Sequence, residues 1–97
     1  MTLINDVFQL KQSIQFKKDL KKARKQGKKL TTLKNVVLIL QQKQELPGRY
    51  RDQLLVGNWN GCRECHLESD WLLIYKIKYE EGLVYLARLG SHSELFK

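Results

Sequence analysis

One proline, two histidines, two cysteines and one methionine are all that the 97 residues contain of those types. The longest apolar runs, Val36–Leu40, Trp71–Tyr75 and Leu83–Ala87, are five residues each. A lone proline beside six glycines excludes collagenous or low-complexity character. Five-residue apolar runs fall far short of the roughly 20 residues that cross a bilayer. The opening MTLINDVF has no basic segment leading into an apolar stretch. A cytoplasmic location without membrane attachment is therefore expected, and there two cysteines are expected to stay reduced. Acidic residues are scarce in the first half: residues 1–49 hold 12 Lys/Arg against 3 Asp/Glu, and residues 50–97 hold 6 against 7. The positive field is regional and suits a polyanion, whether nucleic acid, acidic lipid or an acidic protein.

What is present suffices for one compact domain over residues 1–97, since 42% of the chain is apolar. A short first strand is expected at Phe8–Ser13. Phe16, Leu20 and Ala23 then recur at helical spacing within a basic segment, with Gly27 as a stop. A second helix follows, with Leu30, Leu33, Val37 and Leu40 on one face, capped by Thr31 or Thr32 and ending near Leu46-Pro47-Gly48. From residue 50 the texture becomes β-forming. Trp71–Ile77 and Leu83–Leu89 are expected to pair antiparallel across the polar KIKYEEG, and SHSELF to form a last helical turn capped by Ser91 or Ser93. The expected fold class is α+β: two amino-terminal helices packed on one face of a small, mainly antiparallel sheet, with the other face left for function.

The segment CRECH, Cys62–His66, fits a haem-attachment pattern. The far-side iron ligand is missing, because the only methionine is Met1 and only His92 is left to substitute. A zinc site from Cys62, Cys65, His66 and His92 has the right donors. In a strand, however, Cys62 and Cys65 point to opposite faces and need a sharp turn, for example at Gly61, to share one ion. A redox pair lacks its helix-start setting, and the plain alternative is two small buried thiols. The same alternation puts Cys62, Glu64 and His66 on one face, and Asp70, Trp71, Arg88 and His92 complete the chemistry-bearing set.

Such a set matches RNA cleavage by its own 2′-hydroxyl, which needs a base, an acid and a cation but no metal or cofactor. Histidine suits the first two tasks and arginine the third. Trp71 or Phe96 offers a stacking surface for a splayed base. Each residue has a plainer role as well: a hydrogen-bonded structural histidine, a turn-shaping Asp70, core aromatics at Trp71 and Trp59, an ion-paired Arg88. The eight Lys/Arg of Lys17–Lys29 are either a solvated helix face or a contact surface for a polyanion.

Four strings together resemble the YafQ-type toxins of the RelE/ParE superfamily, the toxin halves of bacterial type II toxin–antitoxin pairs. These are FKKDLKKA, YRD-x-x-L-x-G-x-W-x-G from Tyr50 to Gly61, RECHLESDWLLIYK, and RLGSHSELF. The resemblance implies a ribosome-dependent endoribonuclease that cuts mRNA in the A site, without a cofactor. Its implied partners are a cognate antitoxin, mRNA and the ribosome, and operator DNA through the antitoxin complex. It implies that His66, Asp70 and His92 are catalytic, with His92 the acid and Asp70 or His66 the base. Glu64 and Arg88 would support the site, and Phe96 and Trp71 would hold the nucleotide. Gln53 departs from the pattern, since many relatives carry histidine there and an amide does not exchange protons near neutrality. That histidine is then either dispensable or its loss slows the enzyme. A superfamily toxin that blocks a protein target such as a topoisomerase is the alternative, and a nucleic-acid-binding protein with structural histidines is a third reading.

Overall fold

A computed structural model describes residues 7–96; the opening MTLIND lies outside the described residues. The elements run β1 (Gln9–Gln12), α1 (Ile14–Lys25), α2 (Leu30–Gln41), β2 (Gln53–Leu54), β3 (Arg63–Glu68), β4 (Trp71–Lys78), β5 (Leu83–Gly90) and α3 (His92–Leu95). The five strands form one sheet in the order β1-β5-β4-β3-β2. Only β1 and β5 run parallel; the other neighbours are antiparallel. The α+β expectation holds, as do the strand pairing and the capped last turn. No described helix is long and apolar enough to cross a membrane.

Strand β4 lies at the centre and is covered on both faces, which explains why WLLIY is continuous rather than alternating. Trp71, Leu73 and Tyr75 join the larger core beneath the helices, with Phe16, Ala23, Leu33, Val36, Val37 and Leu40. Leu72 and Ile74 turn the other way, into a smaller cluster with Ala87 and Leu95. The second face is thus not bare: α3 folds back over part of it. Gly90 permits this close approach, because a Cβ there would stand 2.8 Å from Glu94 Oε1 and 3.3 Å from Leu95 Cδ2.

Helix α1 begins at Ser13, whose Oγ accepts from Phe16 N at 2.8 Å while donating to Ala87 O at 2.7 Å. It ends in a Schellman motif: Lys28 N donates to Ala23 O at 3.0 Å and Gly27 N to Arg24 O at 3.1 Å, with Gly27 at φ +74°. Lys22, Arg24 and Lys25 in the last turn suit the negative end of the helix dipole. Two expectations for α2 fail. It starts at Lys29 with no side-chain cap, so neither Thr31 nor Thr32 fills that role. It also stops at Gln41, where Lys43 takes a left-handed φ of +62°, rather than running on to Leu46.

Strand β1 covers β5 only from Leu83 to Leu86. Beyond that point α1 takes over the exposed edge, with Ser13 Oγ on Ala87 O and Asp19 Oδ2 accepting from Leu89 N at 2.9 Å. Ser13→Ala removes a helix cap and an edge bond together. It is expected to cost about 1–2 kcal/mol, read as a lower urea midpoint with unchanged slope.

Candidate active site

The site gathers on the sheet face opposite α1 and α2, at the end where β3 turns into β4. Cross-strand pairing aligns Glu64 with Ile74, and His66 with Leu72. All four side chains therefore share a face, while Arg63, Cys65 and Leu67 point to the helices. A register shift between His66 and Glu68 bulges the strand beside the histidine, a common device for aiming a side chain next to a reactive site. Ser69 and Asp70 then close the hairpin, and the turn projects Asp70 toward the start of α3.

Asp70 Oδ1 accepts from His92 N at 2.9 Å and lies 2.8 Å from His92 Nδ1. One carboxylate oxygen thereby fixes both the backbone and the ring of His92. The His66 and His92 rings stand 5.6 Å apart between centroids, inclined at 57°. On the far side of His66, Glu64 Oε2 lies 3.8 Å from Nε2. Glu64 is only 4% exposed, and Gln53 Nε2 donates to it. Gln53 is held in turn through its neighbour: Asp52 binds Arg63 Nε at 2.9 Å and the Tyr75 hydroxyl on the opposite face. Each imidazole therefore has a carboxylate beside it, and the His92 side chain is 51% exposed while that of His66 is mostly buried, at 14%. The Phe96 ring, 37% exposed, lies 6.3 Å from His92.

Two expected contributors sit elsewhere. Trp71 is 2% exposed within the helix-side core. The strand alternation that puts Leu72 beside His66 turns the indole away, so no base can stack on it. Arg88 pairs with Asp19, Nε to Oδ2 at 2.8 Å and Nη2 to Oδ1 at 3.3 Å. The β4–β5 pairing sets Arg88 opposite Ile74 on the site face, and its guanidinium is drawn over the β5 edge to Asp19 of α1, where β1 stops short. That hydrogen bond raises the guanidinium further above its ordinary value.

The cysteines fall as the alternation implies: Cys62 packs with the smaller cluster and Cys65 is fully buried in the larger. Burial pushes the Cys65 thiol up to about 12, with the Asp52 and Glu64 charges adding to the effect. A thiol so held does not supply the thiolate that metal binding or redox exchange needs. Among the described residues no three His, Cys, Asp or Glu side chains gather as a metal-binding group.

The last turn is tied down by carboxylates. Glu94 closes a capping box with Ser91 and pairs with Lys22 of α1. Asp70 is held below the usual carboxylate range, first by the His92 N–H and then by the His92 ring; Glu94 is held low first by Lys22 and then by the Ser91 N–H.

A family model described as "Bacterial toxin of type II toxin-antitoxin system, YafQ" matches residues 8–97. The chain is 40% identical over 83 residues to the mRNA interferase toxin YafQ of Escherichia coli K12, covering 84% of this chain and 88% of that protein. Its fold matches a crystal structure of a metal-bound toxin from Helicobacter pylori with a TM-score of 0.87 and 46% identity, over 92% of this chain and 99% of that one. It also matches the toxin in the E. coli DinJ–YafQ toxin–antitoxin complex, with a TM-score of 0.83 and 37% identity over 93% and 98% of the two chains. The class is that of small α+β toxins of type II toxin–antitoxin systems. Within it, the chain belongs to the YafQ family.

Because both carboxylates have depressed values, their contribution to the folded turn is present above the usual carboxylate range and is lost as pH falls through the depressed values. On lowering the pH from about 6 to about 3, the Ser91 and His92 amide protons are expected to lose protection from hydrogen exchange before those of β4.

Proposed function

We propose that this chain is an mRNA interferase, an endoribonuclease that cuts mRNA on the ribosome and is restrained by a cognate antitoxin. One observation carries the reading: two imidazoles 5.6 Å apart on an accessible face, each backed by its own carboxylate. At that spacing both rings can reach oxygens of one phosphodiester lying across them.

The roles follow from the partners. His66 is the base: its ring nitrogen turned away from Glu64 takes the proton from the 2′-hydroxyl, and the buried Glu64 carboxylate steadies the imidazolium that results. The 2′-oxygen bonds to phosphorus as the P–O5′ bond breaks. His92, with Nδ1 fixed by Asp70, donates its Nε2 proton to the departing 5′-oxygen. The products are a 2′,3′-cyclic phosphate and a free 5′-hydroxyl, with no change of oxidation state and no part for a metal or cofactor. Asp70 orients the acid rather than acting as the base. Phe96, beside His92, is the surface on which the nucleotide rests. Gln53 contributes by locating Glu64, a task that needs a donor amide and no proton exchange.

The exposed basic face of α1 supports binding to RNA and to an acidic antitoxin segment that folds on it. Operator DNA is reached through that antitoxin complex, and the setting for all of these partners is the cytoplasm. A toxin that only obstructs a protein target such as a topoisomerase has no use for two carboxylate-backed histidines.

On ribosome-bound mRNA, a 2′-deoxynucleotide at the cut position is expected to abolish cleavage, while the unmodified message yields 2′,3′-cyclic phosphate ends. Cutting of the deoxy substrate would rule out the internal nucleophile. His92→Ala is expected to lower the single-turnover rate by about 10²–10⁴-fold with an unchanged circular dichroism spectrum.

A further inference from the structure

The sheet face that carries the histidines has a second charged feature, a row of lysines at the far end of β4. The apolar run of that strand stops at Tyr75, and the alternation continues as Lys76-Ile77-Lys78. Ile77 packs on the helix-side core, so both lysines stand on the face of Glu64 and His66. Cross-strand pairing sets Lys76 opposite Tyr85 of β5, and Tyr85 opposite Lys11 of β1. Lys78 Nζ lies 4.9 Å from the Tyr85 ring centroid. Lys76 Nζ rests against Gly61, where an added Cβ would stand 3.4 Å from it. We propose that this row is a subsite for backbone phosphates of the same RNA strand whose scissile phosphate lies between His66 and His92, an inference that rests on the ribonuclease reading above.

The surroundings of the lysines favour an anion. Lys11 alone would be an ordinary charge on an edge strand, but Lys76 and Lys78 lie on the central one, where lysine is a poor strand former and neighbouring like charges repel. Among the described residues none of the three forms a salt bridge with a carboxylate, whereas Lys22 is paired with Glu94. Lys11 and Lys76 are exposed and Lys78 is half-buried. Together they frame an open hollow of about 530 Å³, whose walls include Ser13, Cys62 and Tyr85. A lysine meets a phosphate as a point charge and needs no planar match to it.

The shared face favours RNA over an acidic protein as the source of that anion. His66 is paired with Leu72, and from Leu72 the strand runs about 13 Å to Lys76 and about 20 Å to Lys78. Among the strand residues of this face between His66 and Lys76, the only carboxylate is Glu64, which is 4% exposed. Trp59 and Tyr85 are half-buried beside the apolar cluster of that stretch, aromatic surface of the kind on which unpaired bases stack. A strand leaving the histidines along β4 therefore meets aromatic surface and then three cations, without passing an exposed strand carboxylate.

Affinity for 2′-O-methyl RNA, which lacks the attacking hydroxyl, tests this when measured against salt concentration for the full chain and the double variant Lys76→Ala/Lys78→Ala. Lys34→Ala, at an exposed position of α2 on the opposite side of the sheet, is the control. For an oligonucleotide long enough to span the face, the double variant is expected to bind about tenfold more weakly, and its slope of log affinity against log salt to be shallower by about 1.4, or 0.7 for each phosphate no longer neutralised. Lys76→Arg/Lys78→Arg should restore the slope. A dinucleotide, too short to reach the row, should bind the double variant as it binds the unaltered chain. In single-turnover cleavage of ribosome-bound mRNA, the toxin concentration giving half of the maximal rate should rise about tenfold. Unchanged affinity and slope for the longer RNA would overturn the proposal. An equal loss for the dinucleotide, or in Lys34→Ala, would overturn it as well, by making the effect one of net charge. So would a double variant that keeps its RNA affinity and loses only the binding of poly-glutamate, which would give the row to an acidic protein. A chain that cuts no RNA yet loses oligonucleotide affinity in the double variant keeps the row and removes the ribonuclease reading. Cleavage with affinity and half-saturating concentration both untouched removes the row and leaves that reading intact.

Discussion

The Asp70 carboxylate bridges two parts of the chain that are 22 residues apart, and the geometry of the site depends on that bridge. Its Oδ1 takes the first free N–H of α3 and faces the ring nitrogen of the same residue. A helix start has donors without partners, and a carboxylate delivered by the neighbouring hairpin fills one of them. The energy of such an exposed contact is small, but its geometric effect is large. It stops the imidazole from rotating freely and leaves the far ring nitrogen outside that bond. Gly90 and the Glu94–Lys22 pair bring α3 to that position from the other side. The turn that carries His92 is therefore clamped between the β3–β4 hairpin and α1.

Division of labour between the two sheet faces explains how so small a domain carries both a core and a site. The helix face takes Trp71, Leu73, Tyr75 and Cys65, and the opposite face takes Glu64 and His66 with a lesser apolar cluster beneath α3. One-residue alternation along β3 and β4 makes the separation. The same rule places Asp52 under the helices, where it anchors Arg63 and Tyr75, and so aims Gln53 at Glu64 on the reactive face. A buried carboxylate left alone would be costly. The Gln53 amide is one of the groups that make Glu64 tolerable beside His66.

Much of this was legible in the residues. Helical spacing around Phe16, Leu20 and Ala23, the glycine stop at position 27, the β4–β5 pairing and the Ser91 cap all follow from local pattern. So does the opposite orientation of Cys62 and Cys65, which turns CRECH from a metal or haem signature into a strand with one histidine on the face opposite the helices. Less legible was whatever depends on bulges and tertiary edges. The Arg88 guanidinium is taken up by Asp19 because β1 is too short to cover β5, so Asp19 reaches the exposed edge. Trp71 shares a strand with a site residue but faces the other way.

The central claim is that His66 and His92 hold one phosphodiester between them. A crystal structure of the chain bound to an RNA dinucleotide with a 2′-O-methyl group at the attacking position tests it most directly. The account predicts the phosphate between the two rings, with oxygens at about 2.7–3.2 Å from a nitrogen of each. A phosphate bound against one ring alone, or along α1 and α2 with the histidine face empty, would contradict it.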